Sequence, residues 1–183
     1  MRESNRDKVL AAAARLVERE GVRSVTYESV AAESGLTKGG LLYHFASRDD
    51  LLLAIHHYIA AEWEESLEAA AGVKAEDATR QQKLAAYTRI AIEGTTRAKL
   101  LFMLEGSTDP ASAAPWNEVL ARWTISAEET IDDPEALAMF VARLATDGLW
   151  LFEAMGSEID PGLHTRVAAY LASVSGTPEL AIE

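Results

Sequence analysis

The hydrogen-bond donors that stand out in this sequence lie close together, between Thr26 and Arg48. The hydroxyl of Thr37, the amine of Lys38 and the phenol of Tyr43 are separated by only a few positions. Groups of these types donate to phosphate oxygens and to the acceptor edges of bases. The candidate contact residues are Thr26, Tyr27, Thr37, Lys38, Gly39, Gly40, Tyr43, His44 and Arg48. Their shared chemistry indicates binding of nucleic acid.

Two adjacent glycines, Gly39 and Gly40, stand in the middle of these donors. Each glycine costs about 1 kcal/mol relative to alanine inside a helix, so an ordinary packing helix gains nothing from the pair. A helix whose backbone must approach another surface closely can use both. The pair therefore predicts a helix that is pressed against a partner.

The same stretch has the capping and turn residues of two short helices joined by a tight turn. Thr26 and Thr37 are suitable N-caps, and Gly35 supplies a turn residue with positive φ. Leu41 and Phe45 are spaced to pack inward from the second helix. This pattern predicts a helix-turn-helix whose second helix enters the major groove of DNA.

The segment GLTKGGLLYHFASRDDLL closely resembles the recognition-helix signature of the tetracycline-repressor (TetR) family, and the resemblance extends from about Asn5 to Tyr58. Two positions depart from the family's usual order. Gly40 stands where a hydroxyl residue is common, and Leu42 stands where the family usually has tyrosine. Tyr43 is consequently the only aromatic hydroxyl predicted on this helix.

The resemblance implies a fold and a function for the whole chain. The implied fold class is all-α, with residues 1–48 as a three-helix DNA-binding domain and residues 49–183 as a helical domain that binds a small-molecule effector and dimerises. The implied function is a homodimeric repressor on a palindromic operator, with the dimer contact on the last two long helices. Effector binding is expected to shift the fourth helix, change the separation of the recognition helices and release the operator.

Helical periodicity and capping residues predict about nine helices and no strand. A loop is predicted over residues 107–115, and the tail at residues 175–183 is expected to be loose. The predicted helices are 5–20, 27–34, 38–45, 47–71, 77–93, 96–106, 116–130, 134–155 and 161–173.

Composition and charge set further limits. The chain has 183 residues, no cysteine and a formal net charge of −12. Residues 1–50 hold eight basic and eight acidic residues, so the excess acid lies beyond them. DNA binding requires a locally basic face and not a basic protein. The polar N-terminus and the absence of a long apolar run predict a cytoplasmic protein that does not contact a membrane.

Aromatic residues in the second part of the chain are candidates for the effector site. Those selected are Tyr58, Trp63, Tyr87, Phe102, Trp116, Trp123, Phe140 and Trp150, with Met103 beside them. Aromatic faces in an acidic domain predict a cationic aromatic effector. Asp147 lies among apolar neighbours and either pairs with Arg143 one turn earlier, caps a kink, or faces the pocket or the dimer contact.

Two alternatives come from other functional classes. The first is an activator or a DNA-binding protein without a small-molecule ligand, although the chain is far longer than DNA binding requires. The second is a small helical enzyme, but the sequence contains no nucleophile–base set, phosphate loop or metal-ligand spacing. His56 and His57 are adjacent and point to different faces of a helix, which is poor metal geometry. No enzymatic activity, cofactor or metal is therefore predicted.

Overall fold

The structure, a computed structural model, describes residues 4–94, 96–156 and 160–174, and all regular elements within these ranges are helical. The α-helices are α1 (Asn5–Glu20), α2 (Tyr27–Ser34), α3 (Lys38–His44), α4 (Arg48–Ala71), α5 (Arg80–Gly94), α6 (Arg97–Gly106), α7 (Pro110–Trp123), α8 (Pro134–Ala154) and α9 (Pro161–Val174). The predicted all-α fold is confirmed. The predicted loose tail, residues 175–183, lies outside the described ranges.

Side chains at the helix starts account for many of these boundaries. The Thr26 hydroxyl accepts a hydrogen bond from the backbone N–H of Ser29 at 3.1 Å, and Ser29 bonds back to the Thr26 N–H at 3.0 Å. Asp133 accepts from two backbone N–H groups before Pro134 begins α8. Each cap satisfies donors that the first turn leaves unpaired, which is why sequence locates these starts well.

The prediction of a loop over residues 107–115 is wrong, because α7 begins at Pro110. Asp109 caps it by accepting the N–H of Ser112 at 2.9 Å, and proline is favoured at the first helical position. Pro115 lies inside the helix, where it removes one backbone hydrogen bond. Burial of the apolar face of α7 beyond this proline offsets that loss.

The helix predicted over residues 116–130 also ends earlier than expected, at Trp123. A 3₁₀ turn over Glu128–Thr130 follows after a short non-helical segment. Ser126 and Glu129 start this turn by reciprocal side chain-to-backbone hydrogen bonds of 3.1 and 3.3 Å. This local capping arrangement competes with continuation of α7.

The chain divides into two compact units. The first contains α1 to α3, α4 as far as Glu62, α6, and α7 as far as Asn117. Within it, α1 packs against α2, α3 and α6. One face of α1 is an apolar stripe at helical spacing, and all of it is buried; the stripe consists of Val9, Ala13, Leu16 and Val17.

The second unit contains the remainder of α4 and α7 together with α5, α8 and α9. Here α8 packs against α5 and α9, and α5 also packs against α9. A buried cluster joins these three helices through Leu84, Met139, Ala142 and Leu171. None of the helices in the described ranges combines the length and hydropathy needed to span a membrane.

Candidate nucleic-acid interface and ligand cavity

The turn between α2 and α3 is built by Gly35 and by two buried anchors. Gly35 adopts the left-handed conformation, with φ 70°, and ends α2. Leu41 and Phe45 are almost fully buried, so α3 is held by one face. Their predicted inward packing is confirmed, and the opposite face of α3 is left to solvent.

That outward face carries the donors selected from the sequence. Tyr43 is 86% exposed, and the Lys38 side chain is 55% exposed. The Thr37 hydroxyl accepts the N–H of Gly40 at 3.1 Å and keeps its own proton for donation. His44 is half-buried, with its ring centroid 5.2 Å from that of Tyr43. The donors are accessible to a large anionic partner.

The paired glycines have no packing function within the protein. A methyl group placed on Gly39 meets no atom within 4 Å. One placed on Gly40 meets only the Thr37 hydroxyl, at 3.4 Å, which is ordinary contact. The fold tolerates side chains at both positions, so their helix-propensity cost has no internal compensation. This supports the prediction that the backbone of α3 approaches an external surface.

Two of the selected residues, Tyr27 and Arg48, donate to backbone carbonyls within the protein. The Tyr27 hydroxyl donates to the Phe45 carbonyl at 2.9 Å, and the Arg48 Nε donates to the Val25 carbonyl at 3.0 Å. Burial is the main cause that raises the pKa of Tyr27. Both side chains hold the ends of the helix-turn-helix together. A contact of either one with DNA remains a prediction.

An acidic residue that sequence reasoning passed over lies on the same surface. Glu28, on α2, forms an ion pair with the Lys38 amine. A hydrogen bond from Lys38 is the main cause that lowers the pKa of the Glu28 carboxyl. Both side chains are exposed, so the pair contributes little to stability. Glu28 and Lys38 are ten positions apart and lie on different helices. The periodicity of a single helix therefore does not predict the pair.

The second unit contains a cavity of about 220 Å³. Of the predicted aromatic residues, Tyr87, Trp123 and Phe140 line it. The remaining lining residues are Arg80, Lys83, Leu84, Ala121, Thr124, Ile125, Glu129, Met139 and Arg143. The charged lining residues were not predicted, because aromatic side chains were the sequence signal for an effector site.

The other predicted aromatic residues lie outside the lining of this cavity. Trp63 contacts Tyr87, with ring centroids 6.0 Å apart. Tyr58 and Trp150 are half-buried on α4 and α8. Phe102 and Trp116, with the nearby Met103, belong to the first unit.

Asp147 contacts two residues that line the cavity, Tyr87 and Arg143. It accepts the Tyr87 hydroxyl at 2.6 Å, and its other oxygen lies 3.4 Å from the Nε of Arg143. The predicted pairing with Arg143 is therefore present, and the contact with Tyr87 was not foreseen. Burial, followed by the Asp147 carboxylate, raises the pKa of Tyr87. Tyr87 is thus held as a neutral donor.

In the first unit, His56 is the centre of a buried aromatic cluster. The Trp116 indole donates to His56 Nδ1 at 3.0 Å, and the imidazole stacks on Phe102 with centroids 3.9 Å apart. Burial lowers the pKa of His56 to about 4, so the imidazole accepts in its neutral form. His57 is exposed. No group of metal-ligating side chains occurs among the described residues.

A helix-turn-helix with an exposed, donor-bearing second helix, followed by a helical unit with a cavity, defines a DNA-binding transcriptional regulator. Residues 9–55 match the family described as bacterial regulatory proteins, tetR family. Residues 81–176, more than half of the chain, match the tetracyclin repressor-like C-terminal domain. The chain belongs to the TetR family.

Solved structures show the same fold. A protein from Rhodococcus sp. described as a TetR-family transcriptional regulator is 18% identical, with a TM-score of 0.66 over 95% of this chain and 98% of that one. SCO7518 from Streptomyces coelicolor A3(2), described as a transcriptional regulator, is 20% identical, with a TM-score of 0.63 over 96% and 100%. The multidrug binding protein EbrR in complex with ethidium is 22% identical, with a TM-score of 0.61 over 93% and 99%. The chain matches none of the curated proteins with which it was compared.

Proposed function

We propose that the protein is a homodimeric, ligand-responsive repressor of transcription that acts in the cytoplasm. Residues 1–48 bind a palindromic operator, and residues 49–183 dimerise and bind a small hydrophobic effector. The observation that carries the proposal is the outward face of α3, where Lys38 and Tyr43 are exposed and Gly39 has space for a side chain it lacks. Such a face suits a recognition helix in the major groove.

An exposed apolar stripe on α8 supports a dimer. Its residues recur alternately every four and three positions along one face, with Gly148 in the middle. The α8 residues with this spacing are Leu137, Val141, Leu144 and Leu151, and they are flanked by Phe152 and by Met155, which directly follows α8. Tyr170 on α9 is also exposed. A second copy of the chain can cover such a stripe, because a two-fold interface brings together the same surface of both protomers.

Replacing Leu144 by glutamate is expected to convert the dimer to monomer. The change buries a carboxylate from each protomer in the proposed contact, at a cost of several kcal/mol for burying unpaired charge. Because Leu144 is 51% exposed in the single chain, the fold of the protomer is expected to survive. Sedimentation equilibrium and far-UV circular dichroism measure the two properties.

The matched control is Leu101→Glu, since Leu101 is 52% exposed on α6 and lies outside the stripe. This variant is expected to remain dimeric. A dimeric Leu144→Glu variant, or dissociation of both variants, contradicts the assignment of the contact to α8.

Selection of bound duplexes from a random pool tests the DNA-binding part of the proposal. A two-fold dimer places its recognition helices one groove repeat apart, about 34–36 Å or a related distance. Inverted repeats with one fixed spacing are therefore the expected product. Enrichment of single half-sites, or of no sequence, contradicts the palindromic operator.

The effector completes the mechanism through linkage. One conformer of the dimer engages both half-sites and another does not. An effector that binds the second conformer more tightly lowers the affinity for the operator, and the ratio of its affinities for the two conformers limits the size of the effect. The structures of EbrR hold ethidium, proflavin or malachite green, which supports a small aromatic effector in this fold. Release of the selected duplex by an effector distinguishes this mechanism from a DNA-binding protein that lacks a ligand.

A further inference from the structure

The polar groups that line the cavity of the second unit are mostly donors. Arg80, Lys83 and Arg143 line it, whereas Glu129 is the one carboxylate among its described lining residues. The net charge of −12 belongs to the whole chain and does not describe this site. The local balance of donors and acceptors is what a ligand meets.

The carboxylates at the cavity are already engaged. Arg80 donates to Glu129 at 2.9 Å and to Asp133 at 2.8 Å. Asp147 accepts the Tyr87 hydroxyl at 2.6 Å and forms an ion pair with Arg143. A cationic ligand therefore has to compete with a guanidinium group for each of these acceptors.

Two of the donors, in contrast, lack acceptors. Among the described residues, the half-buried Lys83 amine has no hydrogen-bond or ion-pair partner. The Nε of Arg143 is buried without a hydrogen bond, since its 3.4 Å separation from Asp147 makes an ion pair of poor hydrogen-bond geometry. A buried donor without an acceptor costs about 1–3 kcal/mol. The half-buried Lys83 amine is the unpartnered donor that a ligand in the cavity can reach.

We propose that the cavity binds a small aromatic carboxylate, a proposal that rests on the effector site of the proposed function. Lys83 and Arg143 bind the carboxylate, and Trp123 and Phe140 contact the ring. The volume of about 220 Å³ lies below the usual 300–1,000 Å³ of drug-sized sites, which favours one or two rings. This ligand class differs from the cationic effector expected from the acidic composition.

Three naphthalene derivatives of nearly equal size test the charge preference. They are 2-naphthoate, the neutral 2-naphthamide and the cationic 2-naphthylmethylammonium. Calorimetric titration into the full-length protein is expected to give the acid an affinity about tenfold or more above the amide, as a charge-assisted hydrogen bond provides. The cation is expected to bind more weakly than either.

Lys83→Gln is expected to reduce the preference for the acid over the amide severalfold, while the Arg143 guanidinium keeps part of it. Arg166→Gln removes an exposed cation from α9, outside the cavity, and is expected to leave the preference unchanged. Equal binding of acid and amide by the wild type, tighter binding of the cation, or no binding of any probe overturns the proposal. If 2-naphthoate binds but does not release the selected duplex, the carboxylate preference of the cavity is confirmed and only its role as effector is contradicted.

Discussion

Replacing Gly106 by alanine is expected to lower the free energy of unfolding by about 2 kcal/mol, within the range for overpacked sites. A methyl group on Gly106 clashes with Cε1 of His56 and lies 2.8 Å from its Nε2. The imidazole cannot move aside at low cost, because it is stacked on Phe102 and accepts the Trp116 indole. Thermal and chemical unfolding measure the loss, which the better helix propensity of alanine reduces only in part.

A double-mutant cycle with His56→Ala identifies the cause. Removing the imidazole eliminates the clash, so Gly106→Ala is expected to cost little in that background. An equal cost in both backgrounds means that His56 is not the group that excludes a side chain at Gly106.

Replacing Lys38 by alanine is expected to weaken operator binding about 100-fold. Each base or phosphate contact of this type contributes roughly 1–3 kcal/mol, and a two-fold dimer makes the contact twice. Glu28→Gln is expected to act in the opposite direction, because it removes a carboxylate that pairs with Lys38 on a surface facing phosphates. Fluorescence anisotropy with the selected duplex, repeated at several salt concentrations, measures both effects.

Lys74→Ala provides the matched control for Lys38→Ala. Lys74 is also an exposed lysine paired with a glutamate, Glu68, but it lies in the second unit. Its loss is expected to leave operator binding nearly unchanged. Equal weakening by the two substitutions indicates that only total charge matters, and removes Lys38 from the interface.

The features predicted well from sequence are those that neighbouring residues determine. The caps at Thr26 and Thr37, the left-handed turn at Gly35 and the inward packing of Leu41 and Phe45 all follow from short-range rules. The start of α7 at Pro110 is also determined by neighbouring residues. The loop prediction over residues 107–115 did not include this start, although Asp109, which caps the helix, directly precedes Pro110.

Long-range contacts account for what sequence did not predict. Tyr87 and Asp147 are 60 positions apart, as are His56 and Trp116, and periodicity within one helix carries no information about such pairs. Composition likewise gave no indication that packing brings Lys83 and Arg143 to the cavity wall. Packing also divides the aromatic residues: Phe102 and Trp116 join the buried cluster around His56, whereas Trp123 and Phe140 line the cavity.

The central claim, that the backbone of α3 approaches DNA closely, is tested most directly by Gly39→Ala. Because nothing lies within 4 Å of the added methyl group, the variant is expected to be at least as stable as wild type, with a gain below the roughly 1 kcal/mol of a helix interior since Gly39 is in the first turn of α3. Its affinity for the selected duplex is nevertheless expected to fall at least tenfold, by roughly 1.4 kcal/mol or more. Unchanged affinity in a stably folded variant contradicts the assignment of α3 as the recognition helix.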